Sequence, residues 1–306
     1  MKIIHLSILV SAYNAEQTII KTLNSIPKND SRIELVVIDD GSTDKTSHLV
    51  EQFANSNLDL SLVHRKTTNL GSANARNIGL NLAQGKWIMF LDSDDTLDPQ
   101  TVTSFLNKSE DHLNIDLVRF SYATCQESIH QESIENNLSS LMSQKGFWRY
   151  VYRRDFIVQR QITFFPSFED AGGFYVLDDW YFLLWVLSNN PRVELSNDVI
   201  YHYNTHQRTP VEEEARYLKQ VELEFNAFNC VKNQNILAKT ENVDFFLEKL
   251  YSRMRMICLL LNPAPTKVAK LKLCFSFARL LMSNPTKKVG CNLVRTCGTV
   301  VRLYLS

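Results

Sequence analysis

The chain has 306 residues, Lys+Arg and Asp+Glu balanced at 33 each, and 44% apolar residues. That length builds one large domain or two smaller ones with a proper core, and the zero net charge argues against general nucleic-acid binding. No apolar run approaches a membrane span, and six cysteines without CxxC spacing read as reduced thiols of a cytosolic protein, not a zinc site or disulfide framework.

The opening MKIIHLSILVSAYN is interrupted by His5 and Ser7 and lacks an A-x-A-like cleavage site, so Leu6–Val10 reads as a first strand rather than a signal peptide. Ala15–Ile26 reads as a helix, with Ile19, Ile20, Leu23 and Ile26 on one face and Pro27 beyond its end. Leu35–Asp39 is the second strand, and Thr43–Phe53 a helix opened by the capping residues Ser42, Thr43 and Asp44. Leu60–His64 is the third strand and Ser72–Ala83 a helix closed by Gly85. Trp87–Leu91 is the fourth strand, followed by a helix with Asp98 at its cap and Pro99 in its first turn.

Four β-α units in about a hundred residues imply an α/β fold, a mainly parallel sheet with helices on both faces. Ligands in such sheets sit at the carboxyl ends of the strands, and SAYN, DDGSTD and DSDD all fall there. Further on, Ile115–Thr124 reads as a strand, 125–140 as an exposed loop, 148–157 and 178–190 as helices, and 199–204 as a strand. Beyond residue 210 the pattern is helical, at Val211–Cys230 and Val243–Leu261 and then in two shorter helices separated by Asn284-Pro285.

WIMFLDSDDTLD (87–98) runs a buried-strand pattern into Asp92, Asp94, Asp95 and Asp98, four like charges that need compensation. Alternate carboxylates at a strand end suit a divalent metal whose shell a diphosphate completes. A merely solvated acidic loop is the alternative, and the neighbouring motifs weigh against it.

SAYN, VVIDDGSTD, ANARNIGL and MFLDSDD, in this order over residues 4–107, resemble family 2 glycosyltransferases of the GT-A fold. The likeness continues more loosely to residue 204 through GFWRYVYRRDFIVQRQITFFP and DDWYFLL, where Asp178 stands in place of the commoner Glu. The resemblance implies a GT-A-like catalytic domain over 1–208. Residues 1–110 form its nucleotide-sugar half and 111–208 its acceptor half, and a helical region follows over 209–306. It implies that Asp40 binds uracil, that Ser11, Ala12 and Tyr13 hold base and ribose, and that Arg76 faces the diphosphate. Asp92 would lie by the ribose or metal shell, and Asp94 would bind Mn2+ or Mg2+. Asp179 would be the catalytic base, with Asp170 of SFED as the alternative and Asp178 a like charge that favours its protonated form. Among Trp148, Tyr150, Trp180, Tyr181 and Trp185, helical spacing favours core packing, and Trp180 is the one candidate for an acceptor contact.

The activity implied is inverting transfer from a nucleotide sugar, UDP-linked by the family's habit, to a growing surface glycan such as lipopolysaccharide, capsule or exopolysaccharide. The alternative is a non-catalytic subunit that keeps the fold. From Ala264 onward there are eight basic residues and no acidic one, interleaved with Leu, Phe and Met. Such a tail either lies on an anionic membrane surface, making the enzyme peripheral on the cytoplasmic face of the inner membrane, or packs back on the domain. Donor sugar, linkage and oligomeric state have no readable signature.

Overall fold

A computed structural model describes residues 3–124, 129–130, 136–143, 146–165, 178–204, 231 and 236–260. They begin with β1 (Leu6–Ala12), α1 (Ile19–Asn24), β2 (Ile33–Asp39), α2 (Thr46–Ser56), β3 (Ser61–Lys66), α3 (Ser72–Leu82), β4 (Trp87–Asp92), β5 (Thr96–Leu97) and α4 (Pro99–Lys108). After these come β6 (Leu117–Thr124), β7 (Ile129–His130), α5 (Leu138–Ser143), β8 (Tyr150–Arg153), α6 (Arg154–Gln159), α7 (Asp178–Leu187), β9 (Val193–Tyr203) and α8 (Val243–Leu260).

The sheet runs β3-β2-β1-β4-β8-β6-β9-β5, with β7 beside β6. It is parallel through β3-β2-β1-β4 and again between β6 and β9, while β8 is antiparallel to both its neighbours. Both faces of the parallel part are covered, which is why β2 is buried along its whole length. Leu6, Ile8 and Val10 face one core with Ile19, Leu23, Val50, Val102 and Phe105. On the other face α3 packs with Gly79 against Leu9 and Ile38.

Register places the motifs side by side. Ser11 pairs with Asp92, Ala12 with Asp39, and Asp39 with Lys66. The carboxyl ends of four strands thus form one polar edge, as the α/β reading expects.

Several local expectations are corrected. Residues 148–157 are not one helix: Tyr150–Arg153 is a strand between β4 and β6, where Tyr150, Val151 and Tyr152 are fully buried. Its aromatic and β-branched residues fit a pleated, buried surface better than a helix. Gly85 is not a helix cap, since α3 ends at Leu82 with Ala83 as its cap; a Cβ on Gly85 would lie 2.6 Å from the Ser7 amide nitrogen, so close backbone approach dictates glycine. α1 begins at Ile19, four residues after the expected start at Ala15; the amides of Ala15 and Glu16 bond instead to Thr46 and Asp44. In the loop expected over 125–140, Ile129–His130 pairs with β6, and α5 starts at Leu138.

The chain divides into two compact units. The first comprises Met1–Glu169, Asp178–Leu183 and Pro191–Gln207, and the second Asp170–Leu177, Leu184–Asn190 and Arg208–Ser306. Within the second, the Ser188 carbonyl accepts from the Asn242 amide at 2.8 Å, ahead of α8. The expected helix 211–230, the basic tail and the side chains of all six cysteines lie outside what the structure describes.

Candidate active site

Each motif at the polar edge is held by another. Asn14 turns the chain with φ 47°, a conformation Asn adopts more readily than most residues. Its amide donates to Ser42 Oγ and its side-chain oxygen accepts from the Thr43 amide, both at 2.9 Å. The Glu16 amide donates to Asp44 Oδ2 at 3.0 Å, and the Lys45 amide returns a bond to Glu16 Oε2 at the same distance. Asp44 Oδ1 accepts from the amide of Thr46, the first residue of α2, while Lys45 takes the cap position in place of the expected Ser42–Asp44. The clasp leaves Tyr13 half exposed at the mouth of a cleft, while Ala12 beside it is buried.

Asp39 is fully buried. Burial raises its carboxyl pKa, but bonds from Ser42 and Ser47 and the Lys66 ammonium outweigh that and hold it below the usual carboxylate range. Asp40 Oδ1 accepts from Thr67 Oγ1 and the Leu70 amide, and Oδ2 from the Gly71 amide, each at 2.7 Å. Asp40 therefore fixes the segment that opens α3. Gly41, at φ 80°, lets that segment pass: a Cβ would lie 2.6 Å from the Asn69 nitrogen.

The four acids of WIMFLDSDDTLD prove to have separate surroundings. Asp92 Oδ1 receives Arg76 Nη2 at 3.0 Å, and the guanidinium lies over the rings of Phe147 (4.8 Å) and Phe164 (5.5 Å). Asp98 caps α4, accepting from the Thr101 amide at 2.7 Å. Asp95 is buried; its Oδ2 accepts from the Tyr201 hydroxyl at 2.7 Å and its Oδ1 from the Asn204 amide at 2.6 Å. Only Asp94 and Asp92 line the cleft, with Ser93 between them. The compensation that these charges need thus comes in part from the protein itself, through Arg76 at Asp92 and through Tyr201 and Asn204 at Asp95.

Burial pushes the Asp95 carboxyl up to about 7, against the bonds from Asn204 and Tyr201 and with help from the charges of Asp92 and Asp94. The folded state then binds a proton that the unfolded chain has already released, so stability falls as pH rises from about 4 to about 7, by up to roughly 4 kcal/mol. In EDTA, the urea midpoint of wild type minus that of Asp95→Asn is expected to decline between pH 5 and pH 8. A constant difference would contradict this account.

The cleft has a volume of about 570 Å³ and is lined by Ser11, Tyr13, Asn14, Asp44, Asp92 and Asp94 among others. Below β4 an aromatic cluster ties the pieces together. Phe90 meets the rings of Phe147, Tyr152, Phe164 and Phe182 at 5.2–5.8 Å, and Phe164 stacks on Phe182 at 4.0 Å. Asn77 locks this segment to α3, exchanging bonds with both the amide (2.8 Å) and the carbonyl (2.9 Å) of Phe164. Phe182 lies one helical turn after Asp179, whose negative charge is felt by the buried Tyr152 hydroxyl. Asp179 Oδ1 accepts from the Trp180 amide at 2.6 Å.

A profile of glycosyl transferase family 2 matches residues 7–175, more than half of the chain. The chain belongs to this family. Poly(ribitol-phosphate) beta-N-acetylglucosaminyltransferase TarS of Staphylococcus aureus (strain MW2) is 27% identical over 212 residues, covering 65% of this glycosyltransferase and 35% of TarS. The uncharacterized glycosyltransferase MG060 homolog of Mycoplasma pneumoniae is 38% identical over 128 residues, 40% of this chain and 42% of that protein. The chain thus spans well under half the length of these two relatives. The crystal structure of S. aureus TarS 1–349 in complex with UDP-GlcNAc superposes with a TM-score of 0.70 at 19% identity, over 98% of this chain and 89% of that one. The mannosyltransferase PcManGT from Pyrobaculum calidifontis, in complex with GDP-Man and Mn2+, gives 0.51 at 16% identity. These likenesses confirm the GT-A-like fold of this glycosyltransferase.

Ser11, Tyr13, Asp92 and Asp94 come together at the cleft, with Arg76 bonded to Asp92. Asp170 lies outside the described residues, as does the side chain of Asp178. Tyr150, Tyr181 and Trp185 are buried, as core packing predicts; Trp180 is half-buried with its ring edge-on to Tyr181. Trp148 packs against the core as expected, its ring stacked on Tyr201 at 4.3 Å; sequence reading missed Tyr201 and its bond to Asp95. The signal available was YHYN at a strand end, though nothing local assigns its partner.

Among the described residues no group of three or more His, Cys, Asp or Glu converges as a metal cage, and no helix is long and apolar enough to cross a membrane. The donor set nevertheless fits Mg2+ or Mn2+. Asp92 and Asp94 offer hard carboxylate oxygens on an open cleft, the ligand type these cations take.

Proposed function

We propose that this glycosyltransferase inverts the anomeric carbon of a UDP-linked hexose or N-acetylhexosamine, transferring it to a hydroxyl of a surface glycan polymer. The observation that carries this reading is the single cleft in which the base-side motif (Ser11, Tyr13, Asn14) meets Asp92 and Asp94. Support for UDP comes from the TarS complex with UDP-GlcNAc, and for a polymer acceptor from the poly(ribitol-phosphate) named for TarS.

In this account Tyr13 covers the base, Ser11 and Ala12 contribute backbone and hydroxyl groups to base and ribose, and Asp40 accepts from uracil. Three donors already occupy its carboxylate, and a carboxylate has about four acceptor positions, which leaves one for the base. Asp94, assisted by Asp92, would hold Mg2+ or Mn2+, which when bound offsets charge on the leaving diphosphate. Arg76 adds a cation beside Asp92. Asp179 takes the proton of the acceptor hydroxyl as its oxygen bonds to the anomeric carbon, while the electron pair of the breaking C–O bond leaves with UDP.

Residues 1–208 form the catalytic part in this reading, working in the cytoplasm, and the basic tail from about 264 brings it to an anionic membrane surface. Incubation with UDP-sugars and Mn2+, read as UDP release with and without glycan acceptors, tests the function. Acceptor-stimulated release supports it; no release from any UDP-, GDP-, CDP- or TDP-sugar contradicts it and favours a non-catalytic subunit.

A further inference from the structure

We infer that Tyr201 is the positioning residue of the donor site, resting on the reading of Asp92–Asp94 given above. Its ring is fully buried on β9, yet its hydroxyl makes two bonds to a turn 106 residues earlier. The oxygen accepts from the Asp92 amide at 3.2 Å and donates to Asp95 Oδ2 at 2.7 Å. Between these anchors the turn closes on itself, with the Asp95 amide donating to the Asp92 carbonyl at 3.1 Å. Asp94 is therefore carried on a loop of four residues whose two ends meet at one phenolic oxygen.

β9 reinforces the grip. Leu97 pairs with Tyr201 and Thr96 with His202, the Asp98 amide donates to the Ile200 carbonyl at 2.9 Å, and the Asn204 amide reaches Asp95 Oδ1. Trp148 stacks on the Tyr201 ring and so fixes its rotation. Without the hydroxyl, the Asp92 amide and one oxygen of Asp95 lose their partner at a buried place, an imbalance that the turn relieves by shifting. The shift is felt where a divalent cation and a nucleoside diphosphate must meet two carboxylates, whereas base contacts through Tyr13 stay in place. A residue that merely stabilised the fold would alter melting temperature and leave these affinities alone.

Tyr201→Phe keeps the ring and its stacking. Titration of wild type with UDP at fixed Mn2+, and with uridine without metal, is the reference. In the variant the UDP–Mn2+ Kd is expected to rise about tenfold, equivalent to about 1.4 kcal/mol, with uridine affinity unchanged. Asp95→Asn keeps an acceptor for the Asn204 amide but puts an amide group where the Tyr201 hydroxyl donates, and it is expected to raise the same Kd. Unchanged UDP–Mn2+ affinity in both variants overturns the positioning role while leaving the proposed function intact. Wild type that binds UDP no better with Mn2+ than with EDTA overturns the donor-site reading and this inference with it.

Discussion

Replacing Asp179 with Asn is expected to lower kcat by about 10²- to 10⁴-fold, the range that a positioned general base contributes, with Kd for UDP–Mn2+ nearly unchanged. Asparagine keeps the acceptor oxygen that receives the Trp180 amide, so the start of α7 should stay as it is. It cannot take a proton from an acceptor hydroxyl. The loss should therefore appear in single-turnover transfer and not in nucleotide titration. Asp170→Asn is the matched comparison: if it abolishes transfer while Asp179→Asn does not, the base assignment is wrong.

Phe182→Ala is expected to cost about 3–5 kcal/mol in urea unfolding, the usual range for truncating a buried phenylalanine. The ring is fully buried, stacks parallel on Phe164 at 4.0 Å, and also meets Phe90, Phe147 and Tyr152. The cavity would open where β4, the Phe147 turn, the Phe164 segment and α7 converge. Activity should fall further than stability accounts for, because Arg76 lies over Phe147 and Phe164, and Asp179 stands one turn from Phe182. Phe182→Leu, which fills more of the space, should cost less in both assays. A cost below 1 kcal/mol for the alanine variant would show that the cluster does not hold these pieces together.

The parallel half of the sheet was legible because β1, β2 and β4 are buried on both faces and so read as largely apolar runs. Polar motifs at their carboxyl ends then marked the edge where Ser11 sits in register with Asp92 and Ala12 with Asp39. Asp98 and Pro99 announced α4 by chemistry local to four residues, and the cap bond to Thr101 is there. What the sequence concealed depends on partners far along the chain. Tyr150–Arg153 is a strand because β4 and β6 flank it, and Gly85 is required by Ser7. The separate surroundings of Asp92 and Asp95 were likewise hidden, since Arg76 is 16 residues from one and Tyr201 106 from the other. A run of like charges shows only that compensation is needed; the fold alone shows that Arg76 meets Asp92, that Tyr201 and Asn204 meet Asp95, and that Asp92 and Asp94 line the cleft.

The nucleoside-diphosphate site proposed above needs a divalent cation at Asp94. Its most direct test is the thermal stability of wild type and Asp94→Ala with UDP, in Mn2+ and in EDTA. A ligand at a hundredfold excess over Kd stabilises the folded state by about 2.7 kcal/mol, a visible shift. The account predicts stabilisation of wild type by UDP with Mn2+, little in EDTA, and little in the variant under either condition. Equal stabilisation of wild type and Asp94→Ala by UDP with Mn2+ would contradict it.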